Sequence, residues 1–176
     1  MILKWSGWTL KITAPRRKKC IICVAPHTSN LDFFLGICAY YSIGRRANFL
    51  MKKFWFFFPL GLLMRKLGGI PVPKKHGSDL TSHLINLFKE RDYVNLAITP
   101  EGTRSRTDKW RKGFLYIANG ADIPIQLGVI DYANKQIMIE HEFRTTGDVE
   151  ADMGYVKNFY KPYSRAGKHP DQFTAD

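Results

Sequence analysis

Nothing in the 176 residues is long and apolar enough to span a bilayer, which takes about 18–20 consecutive apolar residues in a helix. The nearest stretch, Phe54-Trp55-Phe56-Phe57-Phe58-Pro59-Leu60-Gly61-Leu62-Leu63-Met64, is too short and is interrupted by Pro59 and Gly61. Cysteine is scarce, with residues at 20, 23 and 38. An odd number with no secretory signal argues against a disulfide framework and points to a reducing compartment. Cys20 and Cys23 have C-x-x-C spacing but lie in the apolar run 20–25, where residues three apart on a strand face opposite sides. No second ligand pair exists to complete a zinc site. Also missing are the Gly-x-Ser-x-Gly elbow of a serine nucleophile and the His-Glu-x-x-His of a zinc protease; His141-Glu142 lacks the second histidine. Acidic residues are few, 15 against 27 Lys and Arg, a net charge of +12. That imbalance calls for an anionic partner: nucleic acid, a membrane surface or acidic small molecules.

What is present fits one domain with a substantial core, since 45% of the residues are apolar. Apolar β-rich runs alternate with helical patterns, the signature of an α/β layer fold. Strands are expected near 8–13, 20–25, 48–51, 69–72, 93–99, 125–130 and 136–141, and helices near 30–41, 53–67, 78–91, 113–119 and 149–160. The domain is expected to span 1–163, with 164–176 a loose polar tail. Two polar loops then follow the carboxyl ends of strands, where ligands sit in α/β sheets. One is Pro26-His27-Thr28-Ser29-Asn30 and the other Pro100-Glu101-Gly102-Thr103-Arg104-Ser105.

The aromatic segment has basic flanks, Lys52-Lys53 before it and Arg65-Lys66 after it. Cations on anionic headgroups and rings at the acyl edge suit an interfacial element, with Trp55, Phe56 and Phe58 as candidate membrane contacts. A segment of this length also fits an ordinary buried helix. Nucleic acid is not expected as a partner, because these aromatics cluster instead of interleaving with basic residues as a stacking surface would.

In His27-Thr28-Ser29-Asn30-Leu31-Asp32 a histidine precedes a helix and an aspartate lies in its first turn. The carboxylate can accept the imidazole Nδ1–H and fix the tautomer, leaving Nε2 to take a proton. Ser29-x-x-Asp32 is equally a capping-box pattern. Both roles can coexist, since a carboxylate accepts from several donors. With no protein nucleophile beside it, the pair suits direct activation of a substrate hydroxyl, for which an imidazole titrating near ~6.5 is poised. In the second loop, Gly102 permits unusual backbone angles, N–H groups near it are candidate oxyanion donors, and Arg104 offers a planar fork to phosphate. An ordinary polar turn with a solvated arginine has the same composition.

Together these blocks resemble the glycerol-phosphate and lysophosphatidic acid acyltransferase family, the 1-acylglycerol-3-phosphate O-acyltransferase-like proteins. The family's His-x-x-x-x-Asp block matches His27 to Asp32, and its Glu-Gly-Thr-Arg-Ser block matches Glu101-Gly102-Thr103-Arg104-Ser105. A Gly-apolar-basic block resembles Gly69-Ile70-Pro71-Val72-Pro73-Lys74, and a short Pro-containing strand resembles Ile123-Pro124-Ile125-Gln126-Leu127. A family lysine ahead of an aromatic helix corresponds to Lys52. Two features depart from the pattern. Pro73 and Lys74 stand where an acidic residue and Arg are usual, and lysine keeps the charge without the bidentate fork. The N-terminal hydrophobic helices of larger members are also missing.

The resemblance implies an αβ sandwich, a mixed central sheet flanked by helices. It implies acyl transfer from acyl-CoA or acyl-carrier protein to a hydroxyl of a lysophosphatidic acid-like glycerol-phosphate in phospholipid synthesis, with His27 as base and Asp32 as its support. Glu101, Gly102, Thr103, Arg104, Lys74 and Lys52 would bind or shape the site for the lipid acceptor. No metal or other cofactor is called for. The expected location is cytoplasmic, peripherally attached to the inner face of the membrane, with anionic lipid and acidic acyl-carrier protein as partners for the positive charge. The alternatives are transfer to a non-phosphate lysolipid, such as an acylated amino acid, and a non-catalytic basic membrane-surface binding domain.

Overall fold

A computed structural model describes residues 2–72 and 78–176. Seven strands form one sheet: β1 (Thr9–Ile12), β2 (Lys19–Val24), β3 (Asn48–Lys52), β4 (Gly69–Val72), β5 (Val94–Ile98), β6 (Ile125–Asp131) and β7 (Gln136–Phe143). Their order is β1-β7-β6-β2-β5-β3-β4. All neighbours pair in parallel except β6 and β7, so β1 and β7 run against the other five and the sheet is mixed. The central strand β6 is buried along its whole length and β2 at all but its end residues Lys19 and Val24, as expected of strands covered on both faces. Pro71 lies on the edge strand β4, where a missing N–H breaks no ladder that a further strand would need.

Helices α4 (Ser78–Glu90), α5 (Gly113–Ala121) and α6 (Val149–Tyr160) cover one face, against Ile21 and Cys23 of β2. Helix α2 (Leu31–Ser42) and the short α1 (Ile2–Trp5) cover the other, where Tyr40 packs with Cys20 and Ile22 and Leu3 packs with Ala39. The two cysteines therefore serve opposite cores, both buried and unpaired, and burial pushes the Cys20 thiol up to about 12. Helix α6 is capped by Asp148, whose side chain accepts from the Glu150 and Ala151 N–H groups.

Two expectations fail for identifiable reasons. The helix expected over 53–67 divides into a 3₁₀ turn, Lys53–Phe56, and α3, Leu60–Lys66. Pro59 cannot continue a helix from the preceding residues. Gly61 then packs so close that a Cβ there would lie 2.4 Å from the Phe56 carbonyl oxygen. The tail at 164–176 is not loose. Ala166, Phe173 and Ala175 are buried, the Trp110 ring meets Phe173 at 5.8 Å, and Trp110 Nε1–H donates to the Thr174 carbonyl at 3.1 Å. A few small and aromatic side chains anchor an otherwise polar stretch. No described helix is long and apolar enough to cross a membrane.

Candidate active site

The loop after β2 turns into α2 and carries His27 and Asp32. His27 Nδ1 lies 3.0 Å from Asp32 Oδ2, so the Nδ1–H donates there and Nε2 is left as the basic nitrogen. The same carboxylate oxygen accepts the Thr28 and Ser29 N–H groups, each at 3.0 Å, while Ser29 Oγ accepts the Leu31 N–H at 3.2 Å. Asp32 therefore supports the imidazole and closes a capping arrangement at once. Its other oxygen, Oδ1, accepts from the Tyr132 hydroxyl at 2.6 Å. Burial works to raise the Asp32 carboxyl, but the bonds from His27, Tyr132 and the Ser29 N–H outweigh it and hold the group below its ordinary value.

The turn after β5 meets this loop side by side, since β5 and β2 are neighbours. Glu101 is buried, and its Oε1 accepts the His27 N–H at 2.8 Å. Arg104 Nη1 donates to Asn30 Oδ1. Gly102 has φ +62°, a conformation that favours glycine, and a Cβ there would fall 2.5 Å from Arg111 Nε and displace that side chain. Its N–H is given to the Thr99 carbonyl at 3.1 Å, which removes that particular group from the candidate oxyanion donors. Thr103 and Arg104 are exposed. Lys52 is exposed at the carboxyl end of β3, on the same edge of the sheet. Lys74 lies outside the described residues.

Glu101 Oε2 is buried with no hydrogen-bond partner among the described residues. Burial pushes this carboxyl up to about 7, against the lowering effect of the His27 N–H. A raised pKa means that the folded protein keeps this proton where the unfolded chain has lost it. The group's contribution to stability is then fully present below about 4.5 and is lost as pH rises towards 7. About 2.5 pKa units at 1.36 kcal/mol each gives a cost of ~3 kcal/mol at pH 8. We expect Glu101→Gln, which cannot ionise, to gain about that much stability relative to wild type between pH 5 and pH 8 in urea titrations. An offset independent of pH would show that Glu101 ionises normally.

A cavity of about 500 Å³ runs from His27 and Asp32 between α2 and the sheet. Phe33, Ile37 and Tyr40 line it from the helix, and Val24, Leu50 and Ala97 from the strands. It is a mostly apolar pocket with a few polar groups, His27, Asn30 and Asp32 among them, of a size usual for small-molecule sites.

The aromatic segment lies at the carboxyl end of β3. Phe54, Trp55, Phe57, Phe58, Leu62 and Leu63 are all exposed, Phe58 at 82%. Phe56 is the exception, half-buried with the Arg65 guanidinium 5.4 Å from its ring centroid. The Tyr132 contact and the Asn30–Arg104 contact carried no sequence signal. Tyr132 belongs to no motif, and nothing in residue spacing ties it to a residue 100 positions earlier. Among the described residues no group of three or more His, Cys, Asp or Glu is placed to hold a metal.

The family model described as Acyltransferase matches residues 10–129, which include His27, Asp32, Glu101 and Arg104. Among solved structures, the 1-acyl-sn-glycerophosphate (LPA) acyltransferase PlsC from Thermotoga maritima superimposes with a TM-score of 0.64 at 19% sequence identity, over 93% of this chain and 73% of that one. The two therefore share a fold. No curated protein matches the sequence.

Proposed function

The chain belongs to the acyltransferase family, and we propose that it moves a fatty acyl group from a thioester, acyl-CoA or acyl-carrier protein, to a hydroxyl of a lysophosphatidic acid-like glycerol-phosphate. The observation that carries this reading is the His27–Asp32 pair lining a mostly apolar cavity, with Arg104 on the adjoining turn. The cavity takes the acyl chain. His27 Nε2 removes the acceptor hydroxyl's proton as its oxygen attacks the thioester carbonyl, and Asp32 supports the imidazolium that forms. A C–O bond forms, the C–S bond breaks, and the departing thiolate takes the proton back from Nε2. With the Gly102 N–H already engaged, the oxyanion donors proposed in this turn are the Thr103 and Arg104 N–H groups. Arg104, with Lys52 and Lys74, holds the phosphate, and Glu101 shapes the site through the His27 main chain.

The exposed aromatics, rimmed by Lys52, Lys53, Arg65 and Lys66, support peripheral attachment to the anionic inner face of the membrane. The net charge of +12 favours both that surface and an acidic acyl-carrier protein.

A panel of acceptors, with and without phosphate, offered with acyl-CoA and acyl-carrier protein donors, tests this. Acyl transfer to phosphate-bearing acceptors is expected. Arg104→Ala should raise the acceptor KM about 10–100-fold and leave the donor KM near wild type, because a charge-assisted bond contributes ~1.5–3 kcal/mol. Equal effects on both substrates, or turnover confined to acceptors without phosphate, would point to the non-phosphate lysolipid. A protein that releases no acyl group from any thioester would be a binding domain.

A further inference from the structure

Asp32 is held from more sides than a partnership with His27 requires. Its Oδ2 already meets the imidazole and two main-chain N–H groups. With Oδ1 unoccupied the carboxylate could still swing, since the terminal torsion of an aspartate is broad. Tyr132 closes that freedom with its hydroxyl at 2.6 Å from Oδ1.

Tyr132 is itself fixed from three directions. It follows β6, every residue of which is buried. Its ring meets Trp8 edge-on, with centroids 5.2 Å apart and planes at 87°. Its N–H donates to the Ala166 carbonyl at 2.8 Å. From Ala166 the chain runs back over the catalytic loop, where the His169 N–H donates to Thr28 Oγ1 at 3.1 Å. Gly167 packs so tightly there that a Cβ would lie 2.9 Å from Thr28 Oγ1. Stretch 166–169 thus braces the tyrosine and the loop together.

We propose that Tyr132 is a positioning residue for the acyl transfer, its hydroxyl locking Asp32 in the orientation that presents Oδ2 to the His27 imidazole while stretch 166–169 holds the tyrosine in place. This rests on the reading of His27 as the base. Tyr132 and its brace both lie beyond the residues the family model matches, so this support comes from the remainder of the chain.

The titratable groups facing Asp32 among the described residues are His27 from its own loop, Glu101 from the turn after β5, and Tyr132. Tyr132→Phe removes one hydroxyl and keeps the ring on Trp8 and the N–H on Ala166. The variant is expected to show a kcat about tenfold lower, with the KM of both substrates within about twofold of wild type. Because the lost bond favoured the ionised carboxylate, ¹³C NMR of the Asp32 carboxyl should place its titration midpoint at a higher pH than in wild type. A wild-type kcat would overturn the proposal, and so would a slowed enzyme whose Asp32 titration has not moved, which would make Tyr132 a packing residue. The titration is read on the protein without substrate. If wild-type protein proved inert toward every thioester, the acyl-transfer reading would fall, and the carboxyl titration would still decide whether Tyr132 controls Asp32.

Discussion

Replacing His27 by alanine is expected to yield a folded protein that transfers acyl groups about 10²–10⁴-fold more slowly, the range over which general-base help typically contributes. The fold survives because the substitution spares every contact that joins the two loops. The main-chain N–H at position 27 still donates to Glu101 Oε1. Asp32 loses one donor but keeps the Thr28 and Ser29 N–H groups and the Tyr132 hydroxyl, so the buried carboxylate is not abandoned. The imidazole itself is 20% exposed and belongs to no core cluster among the described residues. The measurements are kcat/KM on the responsive acceptor and the thermal midpoint of the same preparation. Turnover near wild type in a folded variant would refute His27 as the base.

The double variant Trp55→Ser, Phe58→Ser is expected to bind vesicles of anionic lipid about 100-fold more weakly than wild type. Each ring is worth ~1.5–3 kcal/mol when fully removed from water, and partial insertion of two of them gives about 3 kcal/mol, or two decades in partition. The loss is expected at every salt concentration, because it removes an apolar contribution. Replacing Lys53 and Arg65 should instead matter at low salt and fade as the Debye length falls below ~8 Å. Sedimentation with vesicles of graded anionic content separates the two. Unchanged binding by the aromatic variant would leave these rings with another use, since exposed apolar surface of this extent on a monomer normally marks a contact.

The strands were legible because most are apolar β-rich runs between turn residues, and the strand predictions fall within one or two residues of those observed. The loop positions followed from that, and with them the meeting of His27, Asp32, Glu101 and the Arg104 turn. Contacts made across the whole chain were not legible. Tyr132 reaches Asp32 from 100 residues away, and stretch 166–169 returns to Thr28 across 141. Neither has a period, a cap or a motif to announce it. The tail looked loose because its composition is polar, and composition does not register that Ala166, Phe173 and Ala175 are buried in the same core as Trp110. The division at Pro59 was visible in the sequence, but the aromatic run obscured it by resembling one helix.

The sheet order also determines how far apart in sequence the parts that support the His27 loop lie. Strand β2, which launches that loop, has no sheet neighbour close in sequence; its partners are β5 and β6. Pairing Cys20 with Asn95 closes a span of 75 residues, and pairing Thr9 with Gln136 closes one of 127. Such closures lose chain entropy before any contact compensates, which slows assembly relative to folds built from local contacts. The contacts that tie the histidine loop to the rest of the site are long-range in sequence, 74, 100 and 141 residues apart. A nascent chain emerging from the ribosome carries His27 early but gains its arrangement only after Glu101, Tyr132 and the 166–169 stretch have been synthesised.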